Sequence, residues 1–171
     1  MKRSVWLVGL GLALCAGLAL AATPEPIEVL SDPDWLDTVL VPDGPSVQLH
    51  LSPVPYSGRR AVHPFFLVRG TDQELHRYEV WQSAGMSGDH LWVDDNTPYF
   101  TMGTGTVFFA ETTGEQALAV IQVLESGYPW AGRYAMLAGP NSNTYAAWVL
   151  EQSGWAIELP EQSLGKGWGC R

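Results

Sequence analysis

Cysteine is scarce in this chain, since the 171 residues contain only two, Cys15 and Cys170. Cys15 lies inside an apolar N-terminal run, and Cys170 is the penultimate residue. If that run is removed, the remaining cysteine has no partner for an internal disulfide. The core must then be stable without a covalent cross-link, even in an oxidising compartment.

Positively charged residues are also few. The chain has 9 Lys and Arg against 18 Asp and Glu, and its formal net charge is -9. Loss of the N-terminal run would remove Lys2 and Arg3 and make the balance more acidic still. Because binding to phosphates needs clusters of Lys and Arg, the composition argues against a nucleic acid partner and against an anionic membrane surface.

The usual motifs for metals and nucleotides are missing. No His-x-His, His-x-x-x-His or Cys-x-x-Cys pair occurs, and Asp94-Asp-Asn96 lacks the glycine and the distant glutamate of a calcium loop. No P-loop occurs, and Gly103-Thr-Gly105 lacks the third glycine of a dinucleotide fingerprint. We therefore predict neither a metal nor a cofactor.

What the chain does have at its start is a basic tetrapeptide, Met1-Lys-Arg-Ser4, followed by an apolar run, Val5–Ala22. This pattern predicts a secretory signal peptide over residues 1–21, because Ala19-Leu-Ala21 fits the small-x-small rule for cleavage. The alternative is an uncleaved membrane anchor, since the run approaches the ~18 apolar residues of a membrane span. With cleavage, the protein would be periplasmic or secreted and would have no stable membrane insertion.

Residues 22–45 are rich in proline, and we interpret them as an N-terminal extension with a short strand at Trp35–Val41. The ~150 residues that remain without the signal peptide suit one core, and we predict a single domain over residues 46–171. Apolar alternation and β-forming composition predict strands along its first half. The predicted strands are Ser46–Pro53, Ala61–Arg69, Glu74–Gln82, His90–Asp94 and Thr106–Glu111, with the second and third forming a hairpin.

The second half predicts two helices. Thr113-Gly-Glu-Gln116 is a capping-box pattern that should begin the first helix, and Gly127 should end it. The second helix is predicted over residues 142–153, and short strands are predicted at 133–137 and 155–159. Two helices with about six strands predict an α+β fold in which an antiparallel sheet packs against the helices.

The most informative segment runs from Gly139-Pro140 into the expected helix start, Asn141-Ser-Asn-Thr144. The first four N–H groups of a helix have no internal partners and carry a partial positive charge. A hydroxyl at this point is either a cap or a nucleophile beside donors that can receive an oxyanion. Both interpretations of Ser142 stay open at the level of sequence.

A serine nucleophile needs a base, and histidine is the side chain that titrates near neutral pH. His63 stands out because it lies in an apolar strand and should share a face with Phe65. The alternative is a core histidine with satisfied hydrogen bonds. Glu79 on the partner strand either orients the His63 ring, as the third member of a triad does, or faces solvent. A four-residue turn would place residue 80 opposite His63.

Several further segments of the chain form a recognisable set: Ala61–Val68, Arg77–Val80, Tyr128-Pro129, Tyr134, Gly139–Tyr145 and Leu164–Trp168. Together they resemble an uncharacterised bacterial family catalogued as domain of unknown function 3750. The resemblance covers roughly residues 46–168, and Gly139-Pro-Asn-Ser-Asn-Thr144 is its most specific part. Because that family has no established activity, the resemblance alone implies no function.

A more distant similarity links the chain to circularly permuted, papain-like (NlpC/P60-like) proteins, which include peptidases, amidases and acyltransferases. In those proteins a strand histidine is the base for a cysteine at a helix start. The resemblance implies that His63 is the base, that Ser142 occupies the cysteine position, that Tyr145 is the following aromatic residue and that Glu79 is the third polar residue. Serine departs from the pattern, because a hydroxyl is a far poorer nucleophile than a thiolate.

Two functions follow from this comparison. The first is an exported Ser/His hydrolase or acyltransferase that acts on an amide or ester in the cell envelope. The second is a catalytically inactive papain-like scaffold that serves as a periplasmic module for a small-molecule, peptide or lipid ligand. The expected site comprises Ser142, His63 and Glu79 as catalytic residues and Asn141, Asn143 and Tyr134 as substrate contacts.

Overall fold

A computed structural model describes residues 44–54, 57, 60–82, 88–94 and 106–169. The predicted signal peptide, the strand at Trp35–Val41 and nearly all of the proline-rich extension lie outside these residues. Within the described ranges, no helix is long and apolar enough to cross a membrane. The structure therefore bears on the predicted domain that begins at residue 46.

The described strands form one five-stranded sheet in the order β4-β3-β2-β1-β5, and every pair in it is antiparallel. The strands are β1 (Ser46–Pro53), β2 (Val62–Arg69), β3 (Leu75–Val80), β4 (Leu91–Val93) and β5 (Val107–Thr113). The helices are α1 (Gly114–Glu125) and α2 (Ser142–Ser153). An α+β architecture with an antiparallel sheet and two helices is therefore confirmed.

One face of the sheet packs against the helices and forms the apolar core. Because strand side chains alternate between faces, Leu49 and Phe66 point to this side together with their neighbours two residues away. The Phe66 ring contacts the Tyr145 ring of α2 edge to face, with centroids 6.0 Å apart. Burial of these apolar side chains is the main favourable contribution to folding.

The opposite face of the sheet is buried as well, although its side chains are largely polar and aromatic. It carries Gln48, His50 and Ser52 of β1, His63, Phe65 and Leu67 of β2, and Arg77 and Glu79 of β3. Buried polar groups lower the free energy of unfolding unless they are hydrogen-bonded. The contacts of His63, Arg77 and Glu79 on this face are therefore central to the site described below.

Two predicted strands were wrong. Residues 133–140 form a tight loop, in which the Ala135 N–H donates to the Pro140 carbonyl at 2.8 Å and the Gly139 N–H donates to the Ala135 carbonyl at 2.9 Å. Residues 155–159 also lack a ladder in the structure, and Trp155 and Leu159 bury their side chains in the core without one. Apolar content predicted a strand at both places, but Met136 and Leu137 are exposed, and the burial of Trp155 and Leu159 does not require a strand partner.

The start of α1 also differs from the prediction. The helix follows Thr113, but among the described residues the Thr113 side chain makes no capping hydrogen bond. Gln116, the expected reciprocal partner, instead donates from Nε2 to the Ser153 carbonyl of α2 at 2.9 Å. The capping box predicted here is therefore wrong, because a tertiary contact takes its glutamine.

A capping box is present at α2 instead. The Asn141 Oδ1 atom accepts from the Asn143 N–H at 2.9 Å and from the Thr144 N–H at 3.0 Å. Thr144 Oγ1 in turn accepts from the Asn141 N–H at 3.2 Å. Gly154 ends the helix with a φ of 67°, because glycine adopts this left-handed conformation without a steric penalty.

The two helix starts give a matched test. We expect Asn141→Ala to lower the free energy of unfolding by about 2 kcal/mol, because it removes a working cap. Thr113→Ala should change the free energy of unfolding by only about a few tenths of a kcal/mol, because no capping bond is lost there. Urea unfolding of both variants measures the difference, and equal losses would contradict the assignment of the caps.

The pH dependence of stability should have two arms of opposite sign. Burial lowers the pKa of His50 from 6.5 to about 4, so the unfolded state binds a proton more readily than the folded state does. The contribution of His50 is therefore complete above pH 6.5 and is lost as the pH falls toward 4. Hydrogen bonds to Asp94 and Asp72 raise the pKa of His76, so its contribution is complete below pH 6.5 and is lost as the pH rises through the folded value.

Urea unfolding from pH 4 to 8 measures both arms. The difference between wild type and His50→Gln should shrink by up to about 3 kcal/mol between pH 6.5 and 4, because one pH unit corresponds to about 1.4 kcal/mol. His76→Gln should flatten the alkaline arm alone. A difference between wild type and His50→Gln that does not vary with pH would contradict the assignment.

Candidate functional site

His63 lies at the beginning of β2, opposite Ser52 of β1, and is 1% exposed. Its Nε2 atom is 2.8 Å from Oε2 of Glu79. Its ring also contacts the Trp81 ring edge to face, with centroids 4.8 Å apart. The structure therefore brings together two of the three predicted catalytic residues.

Glu79 reaches His63 because the β2–β3 register differs by one residue from the prediction. Phe66 pairs with Tyr78, so continuing the ladder places Trp81, and not residue 80, opposite His63. The five-residue connection 70–74 produces this shift, and a shift of one residue reverses the face of every side chain. Glu79 is 2% exposed, so its interpretation as a solvent-facing acid was wrong.

Sequence reasoning missed a third member of this cluster, Arg77. Its Nη2 atom is 2.6 Å from Oε2 of Glu79, the same oxygen that contacts His63. Its guanidinium also lies over the Phe65 ring, 4.8 Å from the centroid. The available signal was the spacing, because two charges two residues apart in a buried strand share a face.

The two nitrogens of the His63 ring have different environments. Nε2 bonds Glu79, whereas Nδ1 is buried and has no hydrogen-bond partner in the described part of the chain. Burial lowers the pKa of His63, and the positive charge of Arg77 acts in the same direction, while the hydrogen bond and charge of Glu79 oppose them. The ring is therefore neutral at pH 7, with its free lone pair on Nδ1.

Ser142 is the first residue of α2 and is 4% exposed. Because Asn141 is the cap, capping does not account for the hydroxyl at position 142. No hydrogen bond between Ser142 and His63 occurs among the described residues. The two residues flank a direct contact, in which Nδ2 of Asn143 donates to the Val62 carbonyl at 3.0 Å. Ser142 as the nucleophile stays a prediction.

The predicted substrate contacts are largely engaged within the protein. Nδ2 of Asn141 donates to the Met136 and Leu164 carbonyls at 2.9 and 3.0 Å. Nδ2 of Asn143 donates to the Val62 and Leu164 carbonyls at 3.0 and 3.1 Å. An oxyanion would therefore need another donor at this helix start, and the Ser142 N–H takes no part in the capping box.

Tyr134 lies apart from these asparagines in the contacts that the structure describes. It is half-buried in the loop before α2, and its ring lies against the His90 ring with centroids 5.4 Å apart. Burial raises the pKa of the Tyr134 hydroxyl, so the group is a neutral hydrogen-bond donor at pH 7. Its role as a substrate contact stays a prediction.

Residues 162–165 cover the start of α2, and they were not among the site residues predicted from the sequence, although Leu164–Trp168 belongs to the family resemblance. The Gln162 carbonyl accepts from the Val62 N–H at 3.2 Å, and the Gly165 carbonyl accepts from Thr144 Oγ1 at 2.9 Å. A Cβ atom on Gly165 would lie 2.6 Å from Nδ2 of Asn141, so only glycine permits this approach. Ser163 in this segment is 2% exposed.

Three buried polar atoms without partners in the described ranges belong to residues of this region: His63 Nδ1, Asn143 Oδ1 and Ser163 Oγ. Native proteins rarely leave buried polar atoms unbonded, and those that occur call for an explanation such as catalysis or a bound molecule. The helix start, the beginning of β2 and residues 162–165 therefore form the best candidate site in the described structure.

A separate cluster of potential metal ligands lies on the β2–β3 connection. The cluster consists of Asp72, Glu74 and His76, each of which offers one ligand atom. These three atoms lie within 4.8 Å of one another. Both ring nitrogens of His76 already bond carboxylates, to Asp94 at 2.6 Å and to Asp72 at 3.3 Å. The exposed side chains of Asp72 and Glu74 are well explained by solvation and these bonds, so the cluster does not contribute to the site.

Comparison with known proteins places the chain in a family. The family described as "Protein of unknown function (DUF3750)" matches residues 45–168, which is more than half of the chain. No curated protein and no solved structure matches this chain. The chain, with its His63–Glu79–Arg77 cluster beside the start of α2, thus belongs to the DUF3750 family.

Proposed function

We propose that this protein is an exported Ser/His hydrolase or acyltransferase that acts on an amide or ester in the cell envelope, on a permuted papain-like scaffold. Ser142 is the nucleophile, His63 is the general base and Glu79 orients the base. The observation that supports this proposal best is the difference between the environments of the two His63 ring nitrogens. Nε2 is bonded to Glu79, and Nδ1 is a buried lone pair that no described residue bonds.

In the proposed reaction, Oγ of Ser142 attacks the substrate carbonyl carbon while its proton moves to Nδ1 of His63. Glu79 stabilises the imidazolium that forms. The carbonyl electrons move to oxygen, and the N–H of Ser142 at the positive end of α2 donates to this oxyanion. His63 then gives the proton to the leaving amine or alcohol, which departs and leaves an acyl group on Ser142.

The second half of the reaction distinguishes a hydrolase from an acyltransferase. Water, or the hydroxyl or amine of an acceptor, attacks the acyl-serine carbonyl and gives its proton to Nδ1 of His63. Collapse of the second tetrahedral intermediate breaks the bond to Oγ of Ser142, which recovers the proton. Ser142 must contact His63 in the substrate complex, and such bonds commonly tighten only when substrate is bound.

A second function, a ligand-binding module without turnover, is favoured by a different observation. Ser142 and His63 are both buried, and the side chains of Asn141, Asn143 and Thr144 donate to the carbonyls of residues 164 and 165. These bonds hold the helix start closed. In that case His63, Glu79 and Arg77 serve to satisfy one another in the interior.

A fluorophosphonate probe separates the two functions, because it reacts covalently with an activated serine. We expect labelling of the wild-type protein, and a loss of about 100-fold or more in Ser142→Ala and in His63→Gln, since attack needs both groups. Mass spectrometry of the labelled peptide should locate the adduct on residues 141–145.

Two control variants sharpen this test. Ser126→Ala removes an exposed hydroxyl at the end of α1 and should leave labelling unchanged. Ser163→Ala removes another buried hydroxyl near the site, one without a partner among the described residues, so a loss confined to this variant would move the nucleophile to Ser163. Absence of labelling in folded wild-type protein, or labelling that persists in both Ser142→Ala and His63→Gln, would exclude the enzyme and leave the binding module.

A further inference from the structure

We infer that Arg77 is a positioning residue that fixes His63 as the neutral tautomer protonated on Nε2, so that Nδ1 is the basic nitrogen. The catalytic consequence of this role rests on the proposed function. The tautomer itself follows from the geometry of three side chains and does not depend on whether the protein is an enzyme.

The first argument is that one oxygen receives two bonds. Oε2 of Glu79 lies 2.8 Å from Nε2 of His63 and 2.6 Å from Nη2 of Arg77. A guanidinium has only donors, so the facing carboxylate is ionised and can only accept. Nε2 must then carry the proton, because a bare Nε2 would direct a lone pair at a carboxylate oxygen.

The second argument is a balance of charge. The side chains of Arg77, Glu79 and His63 are 4%, 3% and 1% exposed, so their charges are poorly solvated. Arg77 and Glu79 neutralise each other, and a protonated His63 would therefore add an uncompensated positive charge to the buried trio. Without the charge of Arg77, an imidazolium beside Glu79 would be less unfavourable, so the pKa of His63 would rise and Nδ1 would be protonated more readily.

The third argument is that Arg77 is itself held in place. It pairs with Leu67 in the β2–β3 ladder, and its guanidinium lies 4.8 Å from the centre of the Phe65 ring. Stacking on an aromatic face and a planar donor group suit arginine better than lysine. On the same face of the sheet, His50 stacks on Phe65 with centroids 5.3 Å apart, and burial lowers the pKa of His50 to about 4.

Among the described residues, the charged groups that face His63 are thus Glu79 and Arg77, both from β3. His50 of β1 is neutral at pH 7 and lies beyond the Phe65 ring. The charge of Arg77 is therefore the one whose removal should change the protonation of His63. Since Nδ1 is not bonded by any described residue, the change should appear there.

Nitrogen NMR of protein labelled with ¹⁵N-histidine reads both ring nitrogens directly. In the wild type, His63 should carry a proton on Nε2 and none on Nδ1 at neutral pH. Arg77→Met should raise the midpoint of the His63 titration by about one pH unit or more, since it removes a nearby positive charge that disfavours protonation of the ring. Arg77→Lys keeps the charge and should retain the neutral ring.

The control is Arg133→Gln, which removes the same charge from an exposed loop position and should leave the His63 signals unchanged. A proton on Nδ1 in the wild type would overturn the inference, as would an unchanged midpoint in folded Arg77→Met. If Arg77→Met does not fold, the wild-type tautomer and the Arg77→Lys titration still decide, because a charged ring in Arg77→Lys would contradict the role of the charge.

This result is independent of the labelling experiment. Loss of the proposed nucleophile would leave the neutral Nε2-protonated ring in place, and Arg77 would then position a histidine in a binding module. Conversely, fluorophosphonate labelling at Ser142 together with an Nδ1-protonated ring would support a serine enzyme in which Nδ1 of His63 is not the base, and would exclude this role of Arg77.

Discussion

The carboxylate of Glu79 is the contact on which the rest of the site depends. Through one oxygen it holds a ring nitrogen of His63 on β2 and a guanidinium nitrogen of Arg77 on its own strand. Removing Glu79 would leave a buried arginine without its counterion, and removing Arg77 would leave a buried carboxylate facing a titratable ring. Buried charges of this kind are tolerated only as a complete set, so the three residues act as one unit.

A second constraint joins the helix start to the sheet. The side chains that predict a helix start in the sequence also make tertiary bonds, since Asn141 and Asn143 both donate to the Leu164 carbonyl and Asn143 donates to the Val62 carbonyl. The position of Ser142 is therefore fixed by bonds on both sides of it. The side-chain bonds of Asn141 and Asn143 at the helix start therefore also determine how close Ser142 comes to the beginning of β2.

Periodic patterns in the sequence were sufficient for the five strands and two helices, because alternation along β1 and β2 and the apolar stripe of α1 reflect burial directly. The same reasoning failed at residues 133–137, where Met136 and Leu137 are exposed, and at residues 155–159, where Trp155 and Leu159 are buried without a ladder. It also failed for the face of Glu79, because a connection of five residues and not four moves each side chain of β3 to the opposite face of the sheet. Arg77 was missed although its spacing from Glu79 carried a signal, and Ser163 was missed because only the fold brings its segment to the start of α2.

The departure from cysteine to serine is consistent with the charges around His63 in the proposed enzyme. A cysteine nucleophile works as a thiolate, often beside an imidazolium, so its histidine can be charged at rest. A serine hydroxyl keeps its proton until attack and needs a histidine that is neutral beforehand. The positive charge of Arg77 already balances the charge of Glu79 and therefore favours a neutral His63 ring. The ring becomes an imidazolium only when negative charge develops on the substrate. The cluster on β3 and the serine on α2 therefore require each other in this mechanism, and a cysteine at position 142 would gain less from the same surroundings.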